Sequence, residues 1–273
     1  MTLVFTADDF GLSPAVNEAV ERAHREGVLT AASLMIAGPA AADAVARARR
    51  LPDLQVGLHL VVIEGAPALA QADIAGLLDA AGRFPSDQLR LGLRYFFRPA
   101  IRRPLASEIR AQFAAFAATG LPLAHADAHK HMHLHPTVGS LLIEAAREYG
   151  VRRVRVPAEP PSVLRALGDK PGWGARALYR WSRLLRGQIR RAGLQTTDHC
   201  FGLAWTGQMT AARVRRLLAH LPPGSSEIYF HPATGSDETL RALMPRYDHP
   251  AELAALLDPE VRRLASTRSA AIR

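Results

Sequence analysis

Short apolar runs alternate with longer stretches of helical period along most of this chain, and that alternation limits its fold more than any other feature. "TLVFTA" (2–7), "TAASLMIA" (30–37), "QVGLHLVV" (55–62), "LPLAHADAH" (121–129), "RRVRVP" (152–157), "HCFGLAW" (199–205) and "SEIYFHP" (226–232) read as strands. Helix signals lie between them. "LSPAVNEAVERAHREG" offers Ser13 as N-cap, Pro14 as first helical residue and Gly27 as stop. Strand and helix at this spacing imply βαβ units and a mainly parallel sheet, hence an α/β protein. Such a sheet closes as a TIM-like (β/α) barrel, here of seven strands or distorted, or lies open and doubly wound. The expected organisation is a single domain, 1–273, with basic, loop-rich insertions around 63–104 and 160–195.

The barrel is the expected form because polar residues collect at the C-terminal ends of successive strands. Asp8 and Asp9 end the first, His59 lies late in the third, Asp127 and His129 end the fourth, Arg155 the fifth and His231 the last. Barrel enzymes assemble their sites on that rim.

Composition narrows the class. At 48% hydrophobic and 22% charged residues the chain has the make-up of a globular protein with a substantial core. The single Cys200 excludes an internal disulfide and any Cys-based zinc site, and fits a reducing compartment. "MTLVFTADDF" lacks a basic n-region and a cleavage site, so the expected location is cytoplasmic. The net charge of +9 raises nucleic acid as a partner, but no aromatic-interleaved strand motif or zinc-finger spacing supports it. Arginine is concentrated among Leu, Phe, Tyr and Trp in "LRLGLRYFFRPAIRR" (89–103) and "RALYRWSRLLRGQIRRAG" (176–193). That is how segments lying on an anionic membrane surface are often written, and it places the inner membrane face among the expected locations. Oligomeric state stays open, a homo-oligomer included.

The densest motif is "HADAHKHMHLHP" (125–136), with histidine at 125, 129, 131, 133 and 135. In an extended strand its two ends would stand about 33 Å apart, so one ion cannot recruit all five. Two neighbours at most share an ion, and the other ligands come from elsewhere. Pro136 suggests that the strand has ended before it, leaving His131 to His135 in a turn at the mouth. The complement is "TADDFGL" (6–12), whose adjacent acids cannot both face a core, and the lone histidine of "GLHLV" (57–61). Each alone reads as a cap or a core histidine; three polar exceptions at three strand ends converge in space.

"ADDFGLS", "GLHL", "HADAHKHMH" and the late "FHP" together resemble the YdjC-like carbohydrate deacetylases, in order and spacing, from residue 3 to about 235. That family includes chito-oligosaccharide deacetylases and a hopanoid-biosynthesis-associated branch. The resemblance implies a TIM-like barrel and metal-dependent removal of an N-acetyl group from a sugar. It further implies Asp9, His59 and His129 as metal ligands, Asp8 as general base, His231 as acid and Arg155 set against the base. His133 is a second candidate for the acid, His131 for the substrate mouth, and Asp127 for an orienting or substrate-side residue. Lys130 departs from relatives that carry a further histidine there, without touching the ligand set. Imidazole ligands favour zinc or another transition ion on chemical grounds, whereas the resemblance implies magnesium often enough to leave the ion open, so one divalent ion, Mg or Zn, is expected.

The expected substrate is an N-acetylated sugar. The two arginine-and-aromatic segments favour a glycolipid, an acetylglucosaminyl hopanoid, over soluble chito-oligosaccharides, with peripheral membrane contact. Two rival readings remain. "HAD" (125–127) with a distant histidine is the pattern of non-haem iron oxygenases, though those generally sit on all-β barrels. A histidine-rich metal-storage or sensor module would bind several ions and have no use for Asp8.

Overall fold

The computed structural model describes residues 3–270, so Thr2 of the first expected strand and the ends of the expected 1–273 domain lie outside the described residues. Among the described residues six strands form one parallel sheet: β1 (Leu3–Phe10), β2 (Ala31–Leu34), β3 (Gln55–Leu60), β4 (Ala126–Ala128), β5 (His199–Phe201) and β6 (Ser226–Phe230). Their spatial order is β4-β3-β2-β1-β6-β5, the sheet curling as a half-barrel. Register brings functional positions side by side, His59 opposite Asp127 and Thr6 opposite Tyr229.

The expected seven-stranded closure is corrected here. "RRVRVP" forms no regular strand and makes only single bridges, Ala126 to Val154 on one side and Arg153 to Gln195 on the other. Pro157 has no N–H to add to a ladder, and the Ala158 N–H turns back onto the Val156 carbonyl at 2.7 Å. The segment thus spans the gap between β4 and the residues leading into β5 without completing a sheet.

Helices flank the strands. α1 (Pro14–Glu26) begins as expected, Ser13 accepting the Val16 N–H at 3.3 Å, and buries Val16, Ala19, Val20 and Ala23. α2 (Ala41–Ala48) follows β2. Residues 63–104 carry α3 (Gln71–Ile74), α4 (Gln88–Phe97) and the first turns of α5 (Pro99–Ala118). Inside α5, buried Glu108 accepts the Ala68 and Leu69 N–H groups and Gln112 pairs with both backbone groups of Val61. Those bonds satisfy the loop's polar backbone where no strand does. After β4 an irregular helical turn, His129–Leu134, is broken by left-handed Lys130 (φ 51°) and His131 (φ 53°). Then come α6 (Pro136–Glu148), α7 (Pro161–Ala166) and α8 (Trp173–Arg191), with α9 (Ala211–Ala219) between β5 and β6. α10 (Glu238–Leu243), α11 (His249–Leu257) and α12 (Pro259–Ala270) end the described chain. No described helix is long and apolar enough to cross a membrane.

The space between strands and helices is apolar, filled by residues such as Phe5, Phe10, Leu34, Leu58, Phe113 and Phe230. The inside of the curl is different: Thr6, Asp8, Ser33, His125, Asp127, Arg155 and Glu227 are buried there.

Candidate metal centre

Two adjacent carboxylates at the end of β1 would point to opposite faces of a regular strand. The chain resolves this by breaking the strand. The β1–β2 register shifts between Ala7 and Phe10, and Asp9 takes a left-handed φ of 62°. Asp is among the few non-glycine residues that reach this region at modest cost. Gly11, with φ 95°, completes the turn; a Cβ there would stand 3.0 Å from the Met35 carbonyl oxygen. Both acids are consequently buried, at 2% and 1% exposure, yet they meet different partners.

Asp9 meets two imidazoles. Its Oδ1 lies 3.0 Å from His129 Nδ1 and 3.4 Å from His59 Nε2, and the two rings stand 5.5 Å apart. Ligand atoms of Asp9, His59 and His129 all fall within 4.8 Å of one another. Neither Asp9 oxygen takes a hydrogen bond, although both are buried. Burial alone would raise the Asp9 carboxyl, but the His129 and His59 charges overrule it and hold it well below the usual carboxylate range.

His59 is aimed from behind. Its Nδ1 donates to Asp127 Oδ1 at 2.6 Å, leaving Nε2 toward Asp9. A carboxylate that fixes the outer nitrogen is the usual support for a metal-binding histidine. Burial disfavours a charged His59 ring, but Asp127 outweighs it and lifts the pKa to about 10. Asp127 is completely enclosed, also accepting from Ser33 Oγ at 2.7 Å and pairing with Arg155 Nη1 at 3.0 Å.

Asp8 meets Arg155. The guanidinium grips Asp8 through two bonds, Nη1 to Oδ2 at 2.7 Å and Nη2 to Oδ1 at 2.8 Å. Its Nε donates to Glu227 Oε1 at 2.9 Å, and the Thr6 hydroxyl donates to the same oxygen at 2.8 Å. Asp8, His59 and Asp127 form a second cluster with metal-ligand spacing. Arg155 already compensates both its carboxylates, so the unpartnered Asp9 cluster is the better cation site. Three buried carboxylates, Asp8, Asp127 and Glu227, pair with this single guanidinium, and buried Asp9 adds a fourth carboxylate that faces His59 and His129 instead. Such a surplus of buried negative charge is costly unless a cation joins it, and two imidazoles with one carboxylate suit a divalent transition ion with open positions.

The histidine block is dispersed. His125 sits under Gly57 with its Nε2 3.0 Å from Ser33 Oγ, and burial lowers its pKa to about 4. It joins neither ligand cluster among the described residues, so "HAD" supplies no ligand pair. His129 reaches Asp9. His131 Nε2 lies 3.0 Å from the Tyr229 hydroxyl. His133 is buried with neither ring nitrogen hydrogen-bonded, and burial lowers its pKa to about 4. His135 is half-buried between the rings of Tyr95 and Phe96.

His231, at the end of β6, is more open than His133, and its ring lies 5.7 Å from Tyr229 and 5.1 Å from Tyr247. Its backbone N–H is bound by Glu252 and its carbonyl meets His249 Nδ1 at 2.7 Å. Sequence reasoning missed Ser33, Glu227, Tyr229 and Glu252. An acid inside the apolar run "SEIYF" was the available signal for Glu227. Beside the centre, a cavity of about 480 Å³ is lined by Lys130, His131, Met132, Leu178, Trp181 and Leu203, among others.

The chain matches the family described as YdjC-like protein over residues 2–267. A carbohydrate deacetylase of Brevibacillus brevis is 40% identical over 161 residues, covering 59% of this chain and 60% of that protein. One of Vibrio cholerae is 37% identical over 153 residues, covering 55% and 57%. The matched stretch therefore spans less than two thirds of these bacterial relatives' length. A mouse carbohydrate deacetylase is 33% identical over 284 aligned positions, covering 95% of this chain and 89% of that protein. A crystal structure from Enterococcus faecalis, of a protein provisionally named for cellobiose-phosphate cleavage, superposes with a TM-score of 0.76. It covers 98% of this chain and 94% of the other at 22% identity, a likeness of fold.

Proposed function

This chain belongs to the YdjC-like protein family, and from that premise we propose that it is a metal-dependent carbohydrate N-deacetylase. The observation that carries the reading is the buried Asp9 carboxylate, free of hydrogen bonds and faced by His59 and His129, beside an Asp8 held by Arg155. Asp9, His59 and His129 would hold one divalent ion, Mg or Zn, which supplies Lewis acidity toward water and toward the acetamide carbonyl.

The chain's own residues do the rest. Arg155 fixes Asp8 in place through its two-point grip. Asp8 takes a proton from the water that attacks the acetyl carbon. Asp127 holds His59 in the tautomer and orientation that face Asp9. His231 gives a proton to the departing amine; its ring is more open than that of His133, the other candidate. Water and amide become acetate and a free amino sugar. His131, on the cavity wall and tied to Tyr229, meets the sugar. Asp127 has no open face and acts through His59. We read the chain as one catalytic domain whose helical insertions at 63–104 and 160–195 shape this mouth.

The cavity's largely apolar wall, with Met132, Leu178, Trp181 and Leu203, favours a glycolipid such as an acetylglucosaminyl hopanoid over a soluble chito-oligosaccharide. Acetate release from a panel of N-acetylated sugars and glycolipids, with and without chelator, tests both levels. Release should stop with chelator and return on adding a divalent ion. Undiminished release in chelator sinks the metal-dependent reading, and equal turnover of N-acetylchitobiose and glycolipid removes the preference for the lipid.

A further inference from the structure

Seven large hydrophobic side chains stand exposed on the described protein, and all seven belong to α4 or α8. They are Leu89, Leu93, Phe96 and Phe97 on the first, and Trp173, Trp181 and Leu184 on the second. α4 is already anchored without them. Leu91 and Tyr95 are buried on its other side, and the Tyr95 hydroxyl donates to the Val62 carbonyl at 2.8 Å. α8 likewise buries Ser182, Leu185 and Ile189. At about 100° per residue, Trp173, Ala177, Trp181 and Leu184 fall within an arc of about 80° beside that buried face. The apolar stripes are therefore surplus to the core.

The two helices share one surface. A groove of about 670 Å³ runs between Leu89, Leu93, Phe96 and Phe97 on one side and Trp181 on the other, floored by His135 and Pro136. The Trp181 indole donates to the Leu134 carbonyl at 2.8 Å, fixing that wall. The charge along these segments is mostly positive, although Arg102 pairs with Glu144 at 3.5 Å and Arg190 with Asp198 at 3.2 Å. Residues 88–107 hold Arg90, Arg94, Arg98, Arg102 and Arg103 and no acid. Residues 170–197 hold Lys170 and six arginines, again with no acid. Most of these arginines, Arg90, Arg98, Arg180 and Arg183 among them, are exposed.

We propose that the α4–α8 face docks on an anionic phospholipid bilayer, its Phe, Leu and Trp side chains entering the acyl boundary while the arginines meet lipid phosphates. Apolar tips set within a basic field fit that occupant, because burial and charge attraction then act together. A second copy fits poorly, since a two-fold contact would press this arginine-rich face, on which basic residues far outnumber acids, against itself. Gln88, His135, Pro136 and Trp181 also line the cavity that reaches His131, so a docked bilayer lies against the mouth of the site. That last consequence rests on the deacetylase reading; the docking itself does not.

Co-sedimentation tests it, using vesicles of phosphatidylcholine alone and of phosphatidylcholine with one third phosphatidylglycerol. The full chain should sediment with the anionic vesicles, more weakly in high salt, and hardly with the neutral ones. Phe96→Ser/Phe97→Ser changes no charge and should weaken the partition about tenfold. Arg90→Glu/Arg98→Glu should abolish it. Both variants should keep circular dichroism and acetate release from a soluble N-acetylated sugar. If the serine variant binds as well as wild type, or the anionic vesicles are not preferred, the docking face is overturned. A dimer in sedimentation velocity that the serine variant dissolves overturns it too, in favour of a second copy. Vesicle binding by a chain that releases no acetate from any substrate would leave the docking standing and refute the deacetylase reading.

Discussion

The lumen of the curled sheet and the α4–α8 face both concentrate charge, and they do so under opposite constraints. In the lumen, Asp8, Asp9, Asp127 and Glu227 are out of water around Arg155, with separations of 2.7–3.0 Å from its nitrogens for all but Asp9. There each charge needs a partner in a defined place, because an uncompensated ion in a poorly polarisable interior is strongly unfavourable. On the α4–α8 face most arginines are solvated and need no partner, so they outnumber the acids beside them. Position decides what the lumen does; number and sign decide what the face does. Mutations should respect that difference.

Losing a ligand of the Asp9 cluster should have the largest consequence. Asp9→Ala or His129→Ala should lose bound metal by elemental analysis, and with it all acetate release. Retention of one ion with full turnover in His129→Ala would place the metal elsewhere. Asp8→Asn should keep the ion and lower kcat by about 10²–10⁴, the usual worth of a positioned base. Metal loss in that variant would merge the two acids' roles. Arg155→Met strands three carboxylates and should cost about 3–5 kcal/mol in urea unfolding.

A pH effect comes next. Burial raises Glu159 to about 7 against a usual 4.5, although the Gly202 and Ala204 N–H groups oppose the shift. Its folded pKa is the higher one, so the stability it contributes is complete below about 4.5 and is lost as pH rises through about 7. Glu159→Gln should therefore lose less stability than wild type between pH 5 and pH 8, on the order of the window those pKa values span. An equally steep loss would locate the titration in another group. Smallest of all, Phe96→Ser/Phe97→Ser should shift unfolding by under about 0.5 kcal/mol, as exposed positions do. A loss comparable with that of Arg155→Met would mean that the face belongs to the core.

Much of the centre was legible because it violates local pattern. Asp8, Asp9 and His59 interrupt apolar strands, and polar residues there stand out against a background that burial otherwise makes uniform. By period alone His129 was one of five, since a strand's period of two treats the ladder alike; only the family resemblance singled it out. Glu227 and Ser33 passed unnoticed because one polar residue inside a strand reads as a solvent-facing position. Tyr229 passed because an aromatic in a strand reads as core. The expected seventh strand failed for a related reason. "RRVRVP" has strand propensity, but pairing depends on what neighbouring backbone can reach, and only one bridge forms on each side.

By itself the sequence determined the α/β class, the parallel order of its units and the family, because hydrophobic period and motif spacing are properties of the chain in one dimension. Tertiary structure decided what each of these groups touches, which residue spacing alone could not. The left-handed Asp9 turns one of two adjacent acids toward histidines and the other toward arginine. The curl of the sheet brings residues 147 positions apart, Asp8 and Arg155, within 2.7 Å. Electrostatics falls off with distance through space, and sequence separation carries no information about that distance.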